Sequence, residues 1–289
     1  MRQENMNIQW YPGHMTKTRR QIEADLKQVD AVCEIVDARI PISSRNPDID
    51  EICGNKPRMV ILNRMDLADP SATNRWVSYF KSKGIVAVPT DCKTKKGINA
   101  FMPAVRSILK EKIDRDAAKG MKRAIRVMIV GIPNVGKSTL INQISGRKGA
   151  KAENRPGVTR GKQWVTVDGG LLLLDTPGIL WPKFEDPNVG LALAFTGAVK
   201  EDVIDLEELA CRLMELLYKR YPQAVADRYG IALEENAAGY ELLTAAGKRR
   251  GFLLSGGEIN TERMAKVLLD EYRSGKLGRF TFEIPEDIQ

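Results

Sequence analysis

Nine consecutive residues carry the most specific chemistry in this chain. Gly131-Ile132-Pro133-Asn134-Val135-Gly136-Lys137-Ser138-Thr139 satisfies the pattern G-x-x-x-x-G-K-[ST] at every required position. A loop of this kind wraps phosphate in backbone N–H groups, and glycine supplies the backbone conformations that the wrapping needs. The spacing predicts Lys137 between the β- and γ-phosphates of a nucleoside triphosphate and the Ser138 hydroxyl on Mg²⁺, with the Asn134, Val135, Gly136 and Thr139 portion of the loop around the anion. Asp175-Thr176-Pro177-Gly178 matches D-x-x-G, in which Asp175 would hold a Mg²⁺-bound water and Gly178 would give its amide to the γ-phosphate. Thr159, within Arg155 to Gly161, is a candidate to close on the metal when that phosphate is present; the other reading is a loop residue in a turn.

These groups need elements to hold them. Ile125 to Val130 is a β-branched, apolar run of strand length, and Ser138 to Ile144 reads as the first turns of a helix. Strand, loop and helix then aim the loop amides and the helix N-terminus at one anion. Further strands are expected at Val29–Val36, Met59–Leu62 and Ile85–Val88, and a hairpin at Trp164–Val167 and Leu171–Leu174 across an Asp-Gly-Gly turn. Helices are expected at Thr16–Gln28, Ser71–Lys83 and Asn99–Glu111, followed by a charged stretch from Lys112 to Arg123. Lys148 to Gly161, polar and glycine-containing, suits a segment that moves. From Asp202 onward the period becomes helical, with Leu206, Leu209, Leu213, Leu216 and Leu217 on one face, and Tyr240–Ala246 and Thr261–Arg273 read as helices too. The alternation argues for an α/β fold with a mostly parallel sheet and helices on both faces, followed by a small all-helical domain. The expected division is 1–200, with an N-terminal extension over 1–28, and 201–289.

Composition bounds the function. The chain has 289 residues, ample for two domains. No apolar run approaches the ~20 residues a membrane span requires, and Met1 to Asn7 lacks the apolar core of a signal peptide, so a cytoplasmic protein without a membrane partner is expected. Cys33, Cys53, Cys92 and Cys211 form no C-x-x-C pair, which argues against a zinc site or a disulfide framework. A net charge of +8 favours polyanionic partners such as RNA. Lys17-Thr18-Arg19-Arg20, Lys93 to Lys96 and Lys248-Arg249-Arg250 are either phosphate-tracking clusters or solvated faces.

Asn63-Arg64-Met65-Asp66, at the end of an expected strand, resembles the N-K-x-D motif with which GTPases read guanine. A carboxylate only accepts hydrogen bonds, so Asp66 suits the N1–H and 2-amino donors of guanine, which adenine lacks. Asn63 would brace the base and tie this loop to the phosphate loop. Arg64 replaces the usual Lys, and its planar guanidinium can still stack on a purine. Thr90-Asp91-Cys92-Lys93 fills the place of the S-A-K loop, where the backbone near Cys92 would meet the guanine oxygen.

Here the base-reading motif precedes the phosphate loop, the reverse of the usual order. With Trp10-Tyr11-Pro12-Gly13-His14-Met15, Asp37-Ala38-Arg39-Ile40-Pro41 and Asp175 to Pro182, the chain resembles over nearly its whole length the circularly permuted GTPases of the bacterial ribosome biogenesis GTPase A (YlqF-like) type. The resemblance implies a GTPase acting in late assembly of the large ribosomal subunit, with rRNA and ribosomal proteins as partners and a helical RNA-binding domain at 201–289. It also implies weak turnover when free, stimulation by the particle, and a monomer that needs Mg²⁺. Ile179 stands where many GTPases carry a water-orienting Gln. The resemblance points instead to His14, the single histidine, as the catalytic group; a turn histidine packing on Trp10 or contacting rRNA is the other reading. Asn134 occupies a position where related GTPases hold K⁺, or it braces the loop. A nucleotide-gated RNA-binding scaffold, a GTPase of tRNA or signalling function and an ATP-using enzyme are the rival readings.

Overall fold

A computed structural model describes residues 13–146, 163–167, 169–178, 186–199, 204–232, 234 and 236–287, with no side chains described for 13–19. Thr159 and the whole expected moving segment, Lys148 to Gly161, lie outside these residues, as does the side chain of His14. The chain divides into two compact units, 1–186 with 280–289, and 187–279.

Among the described residues, unit 1 is built on six strands: β1 (Ala31–Asp37), β2 (Arg58–Asn63), β3 (Val86–Pro89), β4 (Ile125–Val130), β5 (Gln163–Val167) and β6 (Leu171–Asp175). They lie in the order β3-β2-β1-β4-β6-β5. All pairs are parallel except the β5–β6 hairpin, where Trp164 faces Leu174. Every residue of β1 is buried, as the central strand of a sheet covered on both faces must be.

The pleat sorts the core into two layers. Val32 and Val36 of β1 share a face with Val60, Leu62, Met128 and Leu174. On that face sit α1 (Gly13–Leu26) through Ile22 and Leu26, α2 (Ile49–Cys53) through Ile49, and α3 (Pro70–Ser82) through Trp76 and Phe80. Asp69 begins α3 by accepting the Ala72 amide, with Pro70 in the first turn, where its missing N–H costs nothing. The odd-numbered residues Ile35, Ile61 and Ile129 point to the opposite face, where α4 (Phe101–Ile108) and α6 (Lys137–Ser145) pack. Between α4 and β4 the first part of the charged stretch is helical: Lys110–Ala118 forms α5, with Lys112 of its first turn on Asp30 (2.6 Å). Its residues are strong helix formers, which outweighed the absence of an apolar stripe.

Unit 2 is helical: α7 (Pro187–Phe195), α8 (Leu206–Arg220), α9 (Pro222–Tyr229), α10 (Gly239–Arg249) and α11 (Thr261–Ser274). Leu209, Leu213 and Leu217 of α8 are buried with Leu242, Leu243 and Leu268, while Leu206 and Leu216 lie at the margin of that face. Asp205 caps α8 by accepting the amides of Glu207 and Glu208. Glu271 of α11 is buried among Arg228 (2.5 and 3.0 Å), Tyr229 (2.9 Å) and Arg250 (3.2 Å). Tyr218 is core, as its place beside the leucine face suggests, whereas Phe252 lies partly exposed under the guanidinium of Arg263.

The units depart from the expected boundary at both of its sides. α7 belongs with the helices, and residues 280–289 belong with the sheet. Phe280, Thr281 and Phe282 are buried there by main-chain and side-chain bonds to loops more than 200 positions earlier, pairing that no local sequence pattern announces.

Candidate nucleotide site

The parallel strands β1, β2, β3, β4 and β6 all end on one edge of the sheet, the edge at which open α/β folds bind ligands. The strand ends deliver Asp37, Asn63, Thr90, the phosphate loop and Asp175 to it.

The phosphate loop runs from Gly131 to Gly136 and enters α6 at Lys137. Asn134 adopts a left-handed conformation (φ 58°), which Asn tolerates better than most side chains. Gly136 has φ 108°, and a Cβ there would lie 2.4 Å from Nδ2 of Asn63, so both backbone and neighbour require glycine. Lys137 is buried and curls back onto the carbonyls of Gly131 (2.9 Å) and Ile132 (2.8 Å). Burial lowers its pKa to about 8, with the Asp175 carboxylate pulling the other way. Burial likewise raises the Asp175 carboxyl, against the pull of Lys137 and the Thr176 amide.

Among the described residues the buried Asp175 Oδ1 has no hydrogen-bond partner, an arrangement that costs about 1–3 kcal/mol unless something else completes it. Among the described residues no group of three or more His, Cys, Asp or Glu could hold a metal ion. A hard cation that takes one or two protein oxygens and fills its other positions from phosphate and water fits this donor set; an all-protein cage does not. Gly178 closes the phosphate side. A Cβ there would come within 2.8 Å of Pro133 and 3.0 Å of Lys137 Nζ, so its backbone lies against the phosphate loop.

The base side is braced by Asn63. Its Nδ2 donates to the Val135 carbonyl (2.7 Å), while its Oδ1 accepts from the Cys92 amide (3.2 Å) and the Thr90 hydroxyl (3.4 Å). One buried amide group thus holds three loops together. Arg64, also left-handed (φ 61°), donates to the Asn134 carbonyl (2.6 Å) and lies 3.7 Å from Asp37. The Met65 amide donates to the Thr90 carbonyl (3.1 Å), and Asp66 stands exposed between these anchored residues.

Three groups here were not singled out from sequence for this site. Asp91 folds the 91–97 loop by accepting the amides of Lys93 (2.8 Å) and Thr94 (3.3 Å) and the Thr94 hydroxyl (2.5 Å). An Asp ahead of Thr and Gly at a strand end was the available turn signal. Asp37 and Arg39 form a buried pair with two side-chain bonds of 2.9 and 2.7 Å. Burial alone would raise the Asp37 carboxyl; Arg39 and Arg64 hold it below its ordinary value. Their D-A-R sequence was visible, but its contact with Arg64 depends on strand order.

His14 falls in α1, and the described residues place nothing further of it. Lys93 to Lys96, Lys248 and Arg249 are exposed, as a phosphate-tracking or a solvated face would be. No described helix is long and apolar enough to cross a membrane.

Read circularly from the phosphate-loop strand, the elements run β4, β5, β6, β1, β2, β3, and the motifs regain the order usual among GTPases. Fold and site together define a P-loop GTPase whose chain is opened between β6 and β1.

The family model described as 50S ribosome-binding GTPase matches residues 126–215, and ribosome biogenesis GTPase A of Priestia megaterium is 50% identical over 98% of this chain and 99% of its own. The chain belongs to the ribosome biogenesis GTPase A family and hydrolyses GTP in ribosome assembly. The Thermotoga maritima member is 32% identical over 97% of this chain and 96% of its own. Among solved structures, a GDP-bound YlqF aligns with a TM-score of 0.63 at 29% identity, covering 93% of this chain and all of that one (100%). GNP-bound YlqF from T. maritima aligns at 0.62 and 30%, covering 94% and 100%.

Proposed function

We propose that this GTPase acts late in maturation of the large ribosomal subunit, binding a precursor particle as a monomer in the cytoplasm and hydrolysing GTP faster there than when free. What supports the reading is the match to a family described as 50S ribosome-binding GTPase, together with the edge of the sheet on which Lys137, Asp175 and the Asn63 brace converge, an arrangement that suits a phosphate cradle beside a base-reading loop.

In this reading Asp66 accepts from guanine N1–H and the 2-amino group, Asn63 and Arg64 hold the loop, and the backbone around Cys92 meets the base oxygen. The amides from Asn134 to Thr139 and from Gly178 surround the β- and γ-phosphates. Lys137 exchanges its two carbonyl partners for phosphate oxygens. Asp175, Ser138 and Thr159 are the residues that would hold Mg²⁺, which when bound neutralises charge on the phosphates. Asn134 is the K⁺ candidate; its carbonyl already accepts from Arg64, so a turnover rate indifferent to exchange of K⁺ for Na⁺ would leave it a loop brace. His14 orients the attacking water, accepting or relaying its proton. The helices and exposed basic residues of unit 2 contact rRNA.

The test is GTP turnover by wild type and by His14→Ala, each with and without purified large-subunit particles at fixed salt. Stimulation of wild type alone, with both proteins still binding GTP and particles, is the expected result. Stimulation retained by the variant would return His14 to a packing role. No stimulation of either protein by mature or precursor particles would remove the large-subunit assignment.

A further inference from the structure

Residues 280–287 lie along the base-side loops of unit 1. The Phe280 amide donates to the Leu67 carbonyl (3.0 Å), and the Phe282 amide to the Arg39 carbonyl (2.9 Å). Between them, Thr281 Oγ1 accepts the Asp69 amide (3.1 Å) and donates to the Ala38 carbonyl (3.4 Å). Glu283 then receives the Ile42 amide at 2.7 Å and the Ser43 amide at 3.1 Å on its carboxylate, while its own carbonyl accepts Trp76 Nε1 (2.8 Å). One short segment therefore binds the loop after β1, the loop after β2 and α3.

The loop after β2 is the one that carries Asp66. On one side of Asp66, Arg64 is held by Asn134 and Asp37; on the other, Leu67 and Asp69 are held by the 280–282 backbone and Thr281. The exposed carboxylate is thus a short span between two fixed ends. Fixing a residue's backbone costs conformational entropy, and a loop already fixed before its ligand arrives does not incur that cost on binding.

We infer that Thr281 and Glu283 are positioning residues for guanine recognition, holding the Asp66 loop in its base-reading form from the far end of the chain. The inference rests on the reading of Asp66 as the guanine acceptor given above, and its test separates the two. Binding of GDP and of IDP, which lacks the 2-amino group, is measured with the full-length protein carrying Thr281→Val, Thr281→Ser, Glu283→Gln or Asp66→Ala.

Thr281→Val and Glu283→Gln are expected to weaken GDP binding roughly tenfold while weakening IDP binding less, so that the GDP-over-IDP ratio falls. Thr281→Ser, which keeps the hydroxyl, should retain both affinities and the ratio. A lower melting temperature with an unchanged ratio in both strap variants would mark the segment as a structural tie only and overturn the inference. If Glu283→Gln does not fold, Thr281→Val decides. An unchanged ratio in Asp66→Ala would remove the guanine reading itself, and this inference with it. Loss in Asp66→Ala beside an unchanged ratio in Thr281→Val would remove this inference alone.

Discussion

Lys137 shows what a buried charge does before its ligand arrives. Its ammonium is satisfied by two carbonyls, and burial holds its pKa at about 8 instead of 10.5. Phosphate oxygens are charged acceptors and would return the group to its protonated form. The sign follows from linkage: the free protein releases this proton at lower pH than the complex does. GDP affinity should therefore be fully developed below about pH 8 and fall by up to tenfold per pH unit above it, with proton uptake on binding. Titration calorimetry from pH 7 to 9.5 in buffers of different ionisation enthalpy checks this; a flat affinity with no uptake would show that Lys137 stays charged throughout. In the nucleotide-free protein the same depression makes folding more favourable as pH rises from about 8 toward 10.5, since the unfolded chain then holds more protons.

Among the elements, helices with a clean apolar stripe were legible and those without one were not. The leucine spacing of α8 announces it, and Leu209, Leu213 and Leu217 are buried where that spacing puts them. α7, Asn188-Val189-Gly190-Leu191-Ala192-Leu193-Ala194-Phe195 after its Pro, is apolar nearly all round, so no period marks it. α5 is charged nearly all round and hides equally well. The phosphate loop and D-x-x-G stand out in the sequence because each pattern lies within one short segment. Thr281, and the contact of Arg64 with Asp37, act through partners that only the folded sheet brings close. At this scale the buried Glu271 cluster makes a prediction. Burial alone would raise its carboxyl, but Arg228, Tyr229 and Arg250 hold it below its ordinary value. Glu271→Leu should destabilise the helical unit by about 1–3 kcal/mol in urea unfolding, through cationic partners left without their acceptor. In wild type the stability from this cluster should be present above the ordinary Glu range and be lost as pH falls through the lowered folded value.

For the whole molecule, a switch requires that its states be told apart by what it binds. Gly178 abuts Pro133 and Lys137, so a phosphate entering the loop must change the surroundings of the chain just where it leaves β6. Affinity for large-subunit particles should therefore differ between GDP and a non-hydrolysable GTP analogue by at least about fivefold, the lower end of ordinary coupling energies. Co-sedimentation at two salt concentrations measures it; equal affinities in both nucleotide states would mean that hydrolysis does not drive release. The segment at 280–287 adds an order of events to this picture. A chain is made from its N-terminus, so the sheet, the phosphate loop and all of unit 2 are synthesised before Thr281 and Glu283 exist. Until then the amides of Ile42, Ser43 and Asp69 lack the acceptors that Glu283 and Thr281 supply. The loops beside the nucleotide site are therefore completed only after the helical unit has been made.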